Sequence, residues 1–87
     1  IKAVRQFGCG AGASRFIVGT MELHTRLEER IAEFEGRPGA ILFPTGYTAL
    51  ASTIISLAGP GDTVIVDSSN RASIMDAVRL SGGKLLS

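Results

Sequence analysis

From Ala40 onward the chain alternates short apolar runs with helix-length stretches, and no feature constrains its fold more. Ala40-Ile41-Leu42-Phe43 shows no polar alternation, which suits a parallel strand covered on both faces. Thr63-Val64-Ile65-Val66-Asp67 is β-branched and reads as a second buried strand, and Lys84-Leu85-Leu86 starts a third. Between the first two, Gly46 to Ala58 is apolar or small nearly all round, the pattern of a buried helix. Arg71 to Leu80 reads as another helix, with Ile74, Met75 and Val78 inward. Strands that alternate with helices give a layered α/β fold with right-handed crossovers. A small sheet and a helix apolar on every side need more cover than 87 residues supply. Residues 1–87 are therefore expected to be a partial, N-terminal portion of a larger α/β domain. A chain that starts at Ile1 rather than Met fits that expectation.

Glycine punctuates the rest. Eleven glycines in 87 residues exceed the usual share, which is about 7%, and imply tight turns or close backbone approach. Gly8 to Ser14 must be loop, because Gly8, Gly10 and Gly12 weaken either helix or strand. Arg15-Phe16-Ile17-Val18 reads as a short β-like run stopped by Gly19. Thr20 then suits an N-cap, followed by an amphipathic helix of about 15 residues. Its apolar stripe is Leu23, Leu27, Ile31 and Phe34, expected to be buried, and Gly36-Arg37-Pro38-Gly39 end it. Gly59-Pro60-Gly61-Asp62 has strong turn chemistry, and Ser68-Ser69-Asn70 can cap the last helix.

Composition excludes several classes of function. Nine Lys and Arg against eight Asp and Glu leave a net charge of +1, interspersed along the chain. Nucleic-acid binding by phosphate neutralisation would show a basic stripe. The single cysteine, Cys9, cannot close an internal disulfide. A 45% apolar content and positive mean hydropathy oppose disorder. No apolar run approaches the roughly 18–20 residues that span a bilayer, and Ile1-Lys2-Ala3-Val4-Arg5 lacks a signal-peptide core.

Ligands of α/β sheets bind beyond the carboxyl ends of the strands. One such end is Pro44-Thr45-Gly46-Tyr47. Free amides at a helix start, with the dipole behind them, make an anion site; Gly46 admits close approach, Thr45 offers a hydroxyl and Tyr47 a ring. From the residues alone an ordinary strand-to-helix turn with a capping Thr is the simpler reading. A second end, Asp67 to Arg71, carries a cation that could pair an anion or stack on a flat ring, or simply be solvated. Gly8, Gly10 and Ala13 fit the letters of a dinucleotide fingerprint, but that pattern follows a buried strand and opens a helix, which the β-like run does not. His24 has no second ligand at metal spacing and reads as a structural histidine, so no metal site is expected.

Taken in order, these segments resemble the N-terminal part of the large domain of the α-oxoamine synthases, a family of fold type I enzymes that use pyridoxal 5′-phosphate (PLP). The residues that carry the resemblance are Gly8, Gly10-Ala11-Gly12-Ala13-Ser14-Arg15, Gly19-Thr20 and His24 with Leu27-Glu28. Ala40 to Phe43, Thr45-Gly46-Tyr47, Asp67 and Asn70 with Ala72-Ser73-Ile74 continue the series, and order and spacing match from about residue 5 to the end. The resemblance implies an α/β/α layered fold and PLP-dependent condensation of an amino acid with an acyl-CoA thioester, usually with loss of carbon dioxide. It implies that Thr45, Gly46 and Tyr47 hold the cofactor phosphate, which favours the anion reading of that turn. Ser14 would lie near the acyl group, and Phe16 stands where short, charged acyl groups meet polar residues in the family, which suggests an apolar acyl chain. Arg71 stands where the family has a histidine that stacks on the cofactor ring and positions the substrate carboxylate. Arginine can do both but cannot act as a neutral imidazole. Leu50 likewise replaces a common Asn. Such changes resemble those of non-catalytic subunits, so a pseudo-subunit partnering an active paralogue is the alternative. The family implies a cytoplasmic homodimer or paralogue heterodimer. Its Schiff-base Lys sits in a Ser/Thr-rich setting that neither Lys2 nor Lys84 has, so this segment alone is expected to be inactive.

Overall fold

Two units divide the chain in the computed structural model, which describes residues 1–67, 69 and 72–87: Ile1–Leu42 and Phe43–Ser87. The first opens with a short exposed helix, α1 (Lys2–Phe7), and a loop in which Gly8 and Gly12 take φ of 77° and 75°. Only glycine adopts that left-handed backbone at little cost.

Arg15–Gly19 form a single π turn rather than the expected β-like run. The amides of Ile17 and Gly19 both donate to the Ser14 carbonyl, at 3.1 and 2.8 Å. The turn closes because Gly19 lacks a side chain: a Cβ there would stand 2.7 Å from the carbonyl carbons of Ala13 and Ser14. With no neighbouring strand to pair, the run satisfies its amides locally. A helical turn thus does follow the glycine loop. What precedes the loop is α1, not the buried strand that a dinucleotide motif requires.

The long helix α2 (Glu22–Glu35) starts after Met21, so Thr20 is not its cap. The Thr20 hydroxyl instead donates to the Arg15 carbonyl at 2.8 Å and accepts from Arg15 Nε at 3.3 Å. Gly36 ends the helix in the left-handed region (φ 62°, ψ 38°), and the Arg37 amide returns to the Ala32 carbonyl at 2.9 Å, a Schellman closure. The expected buried stripe is corrected. Among the described residues of α2 only Ala32 is buried, while Leu27, Ile31 and Phe34 are exposed. The first unit holds no second long helix or sheet to cover them.

Ala40–Phe43 is not a strand either. Side chains rather than a neighbouring strand satisfy the Leu42 backbone, as described below.

In the second unit α3 (Gly46–Leu57) packs against α4 (Ala72–Ser81). Its core is Ala51, Ser73, Ala77 and Val78; Val78 is 1% exposed. Between the helices lies β1 (Thr63–Ile65), which pairs in parallel with β2 (Lys84–Leu86) in the register Thr63 to Lys84, Val64 to Leu85 and Ile65 to Leu86. Among the described residues the sheet has two strands where three were expected, and one face is open: Val64 and Leu85 are half-buried, whereas Ile65 is exposed. The helix-length, all-apolar segment is α3, but only Ala51 is buried on it. Pro60 and Gly61 (φ 95°) turn the chain into β1, closed by the Asp62 amide on the Gly59 carbonyl at 3.0 Å. Ser68 and Asn70, expected to cap α4, lie outside the described residues, as does Arg71.

Candidate functional site

The first turn of α3 is built by its threonines. Thr45 is extended (φ −142°, ψ 153°) and its Oγ1 accepts the Thr48 amide at 3.1 Å, as an N-cap does. The Thr48 hydroxyl donates to the Thr45 carbonyl at 2.9 Å and lies 2.9 Å from the Thr45 hydroxyl. The first helical bond runs from the Ala49 amide to the Thr45 carbonyl at 3.1 Å. The amides of Gly46 and Tyr47 therefore remain outside the helix's own hydrogen bonds, at the positive end of its dipole. A Cβ on Gly46 would meet nothing within 4 Å among the described residues, so the side of Gly46 is open there. Two free donors, a hydroxyl and an open approach suit a tetrahedral oxyanion such as a phosphate ester.

Tyr47 also reaches away from this turn. Its hydroxyl donates to Asp76 Oδ2 on α4 at 2.9 Å, and its ring is half exposed. The hydrogen bond to Asp76, aided by partial desolvation, holds the Tyr47 hydroxyl protonated above the usual tyrosine range. Sequence reading missed Asp76. The two residues lie 29 apart, and no periodicity links a helix start to the middle of the next helix.

Thr45, Gly46 and Tyr47 thus stand together on one turn. Ser14 lies in the other unit, where it precedes the π turn and its carbonyl takes two amides. Arg71 lies outside the described residues. Asp67 Oδ1 accepts the Ser69 amide at 3.2 Å, a local turn contact. Leu50 is half-buried on α3.

The first unit holds a polar cluster that sequence reading did not assemble. Arg15 pairs with Glu28 at 2.5 Å and donates to the Leu42 carbonyl at 2.8 Å, while Glu28 Oε1 accepts the Leu42 amide at 2.8 Å. The Arg15 guanidinium, then the Leu42 amide, hold the Glu28 carboxyl below the usual glutamate range. Near the start of α2, His24 Nδ1 accepts the Met21 amide at 2.9 Å, the structural role expected of it. Cys9 is an exposed free thiol. Among the described residues no three His, Cys, Asp or Glu side chains gather as a metal site, and no helix is long and apolar enough to cross a membrane.

Comparison with known proteins places these features in context. The profile of the family described as Aminotransferase class I and II matches residues 1–87. The 8-amino-7-oxononanoate synthase of Geotalea daltonii is 49% identical over 86 residues, 99% of this chain and 22% of that protein. That of Geobacter metallireducens is 51% identical over 81 residues, 93% of this chain and 21% of that protein. Among solved structures, Sphingomonas wittichii serine palmitoyltransferase superposes with a TM-score of 0.92 at 39% identity, covering 98% of this chain and 21% of that one. A serine palmitoyltransferase from S. paucimobilis, solved with PLP and myriocin bound, matches with a TM-score of 0.92 at 38% identity over 98% of this chain and 21% of that one. The chain thus spans about a fifth of the length of the relatives it matches. Two of the expectations drawn from the resemblance, an α/β fragment of a fold type I enzyme and PLP as the family's cofactor, agree with these matches.

Proposed function

We propose a function from one premise: the chain belongs to the aminotransferase class I and II family. The cofactor of such enzymes is PLP. The full-length protein, of which residues 1–87 form an N-terminal portion of the large domain, condenses an amino acid with an acyl-CoA thioester. The amino acid's α-carbon joins the acyl carbon and the CoA thiol leaves; as in most members of the family, the substrate carboxylate departs as carbon dioxide. When bound, the cofactor supplies an electron-accepting ring that makes the α-carbon acidic.

This chain's own part is to bind and orient. The observation that carries the reading is the first turn of α3. The Gly46 and Tyr47 amides would hold the cofactor phosphate, the Thr45 hydroxyl would turn from Thr48 to add a third contact, and the open side of Gly46 would admit the ester. Anchoring the phosphate there would orient the cofactor, which is positioning rather than chemistry. Arg71 pairs the substrate carboxylate or lies against the ring. Ser14 lines the acyl approach, and the exposed ring of Phe16 on the π turn suits an apolar acyl chain. The lysine that bonds the cofactor comes from beyond these residues, so the segment alone is inactive. The working protein is a cytoplasmic homodimer or a heterodimer of paralogues.

A second reading, a non-catalytic subunit that keeps the fold and partners an active paralogue, is favoured by Leu50 and Arg71 at positions where the family carries Asn and His. One experiment separates the two. The full-length protein is reduced with borohydride in the presence of PLP, and its denatured mass is measured. A chain heavier than 9.1 kDa with one pyridoxyl adduct, and free thiol released from acyl-CoA with an amino acid, supports the enzyme. No adduct and no thiol release supports the partner subunit.

A further inference from the structure

We propose that Asp76 is a positioning residue for the cofactor phosphate: through the Tyr47 hydroxyl it fixes the turn whose free amides take the anion. The inference rests on the phosphate reading above and adds a residue to it.

Tyr47 contributes one of the two free amides, and the same residue's hydroxyl is held by Asp76 at 2.9 Å. It is therefore tied at both ends, by the backbone of α3 and by a carboxylate on α4. Its ring is 50% exposed. A half-exposed phenol can satisfy its hydroxyl with water, so burial does not demand this partner. A bond to a carboxylate is stronger than one to water or to a neutral group, and it orders a side chain that would otherwise rotate. Its effect falls on the orientation of residue 47. Within the same turn, the Thr45 and Thr48 hydroxyls make two contacts to the backbone and one to each other, at 2.9–3.1 Å. The turn is thus pinned from within by threonines and from α4 by Asp76. Donors fixed before the anion arrives bind it more tightly than donors that must be ordered on binding.

The test uses the full-length apoenzyme and two ligands, PLP and pyridoxal, which lacks the phosphate. Asp76→Ala is expected to raise the dissociation constant of PLP about five- to tenfold, the worth of one ordinary intramolecular hydrogen bond, and to leave that of pyridoxal unchanged. Tyr47→Phe should do the same, the double variant should be no weaker than either single one, and Asp76→Asn, which offers a neutral acceptor, should recover part of the loss. Equal weakening of both ligands would mean a general structural role and overturn the inference. So would unchanged PLP binding, or additive losses in the double variant. Thr45→Ala separates the two levels. If it lowers the preference for PLP over pyridoxal while Asp76→Ala does not, only this inference fails. If neither variant changes that preference, the phosphate reading fails with it.

Discussion

Glu28 on α2 holds the backbone of Leu42, 14 residues on: its Oε1 accepts the Leu42 amide at 2.8 Å. The Leu42 carbonyl, at 2.8 Å, goes to Arg15, the partner of that same carboxylate. One ion pair thus satisfies both polar groups of a residue that would otherwise look for a strand. With side chains 17% and 33% exposed, Glu28 and Arg15 are shielded enough for the geometry to matter and wet enough to titrate.

The first prediction concerns pH. Because the folded Glu28 carboxyl is held below its usual range, its contribution to stability is complete above the ordinary glutamate value of about 4.3. It is lost as pH falls through the lower folded value. Glu28→Gln keeps an acceptor and loses the charge. Melting temperatures of parent and variant should differ near neutral pH and converge in acid. A gap that stays constant with pH would assign the loss to shape instead.

Gly19→Ala should destabilise the protein by about 1–3 kcal/mol, the range of overpacking. The added methyl would meet backbone atoms of Ala13 and Ser14, which cannot swing aside as a flexible side chain can. Denaturant unfolding measures the change. Gly10→Ala is the control: a Cβ there meets nothing within 4 Å, and its midpoint should barely move.

Thr45→Ala removes the hydroxyl that caps Thr48. A loss of about 1 kcal/mol is expected on unfolding. On the proposed phosphate role of Thr45, PLP should stabilise the full-length variant less than the parent in a thermal shift. Thr45→Ser should restore both.

Tyr47 provides a titration in the opposite direction. Its hydroxyl is held protonated above the usual value of about 10. The stability it contributes is present below that value and is lost as pH rises through the raised one. The difference in phenolate absorbance between parent and Tyr47→Phe should therefore show a midpoint above that of free tyrosine. Asp76→Ala should bring the midpoint down.

Much of the local structure was legible residue by residue. Gly36 stops α2 because a left-handed residue closes a helix, and glycine takes that backbone freely. Gly59-Pro60-Gly61-Asp62 turns as its letters say, and the β-branched run after it is a strand. The capped start of α3 was legible because its signal is local: a Thr, a Gly and an apolar helix in succession. The short helix α1 was not, since nothing in Lys2–Phe7 carries a clear period. The π turn was misread as extended because Phe16, Ile17 and Val18 favour strands only when a neighbour is there to pair.

By itself, then, the sequence determined the order of most elements, their stops and the capped start of α3, because caps, turns and periodicity act within a few residues. Only the tertiary structure decided what pairs with what. It left Ala40–Phe43 unpaired and gave the Leu42 backbone to Arg15 and Glu28. It left Leu27, Ile31 and Phe34 exposed and joined Tyr47 to Asp76. Those outcomes depend on groups 14 to 29 residues apart, and on which surfaces lie near enough to cover an apolar side chain. Short-range periodicity encodes neither.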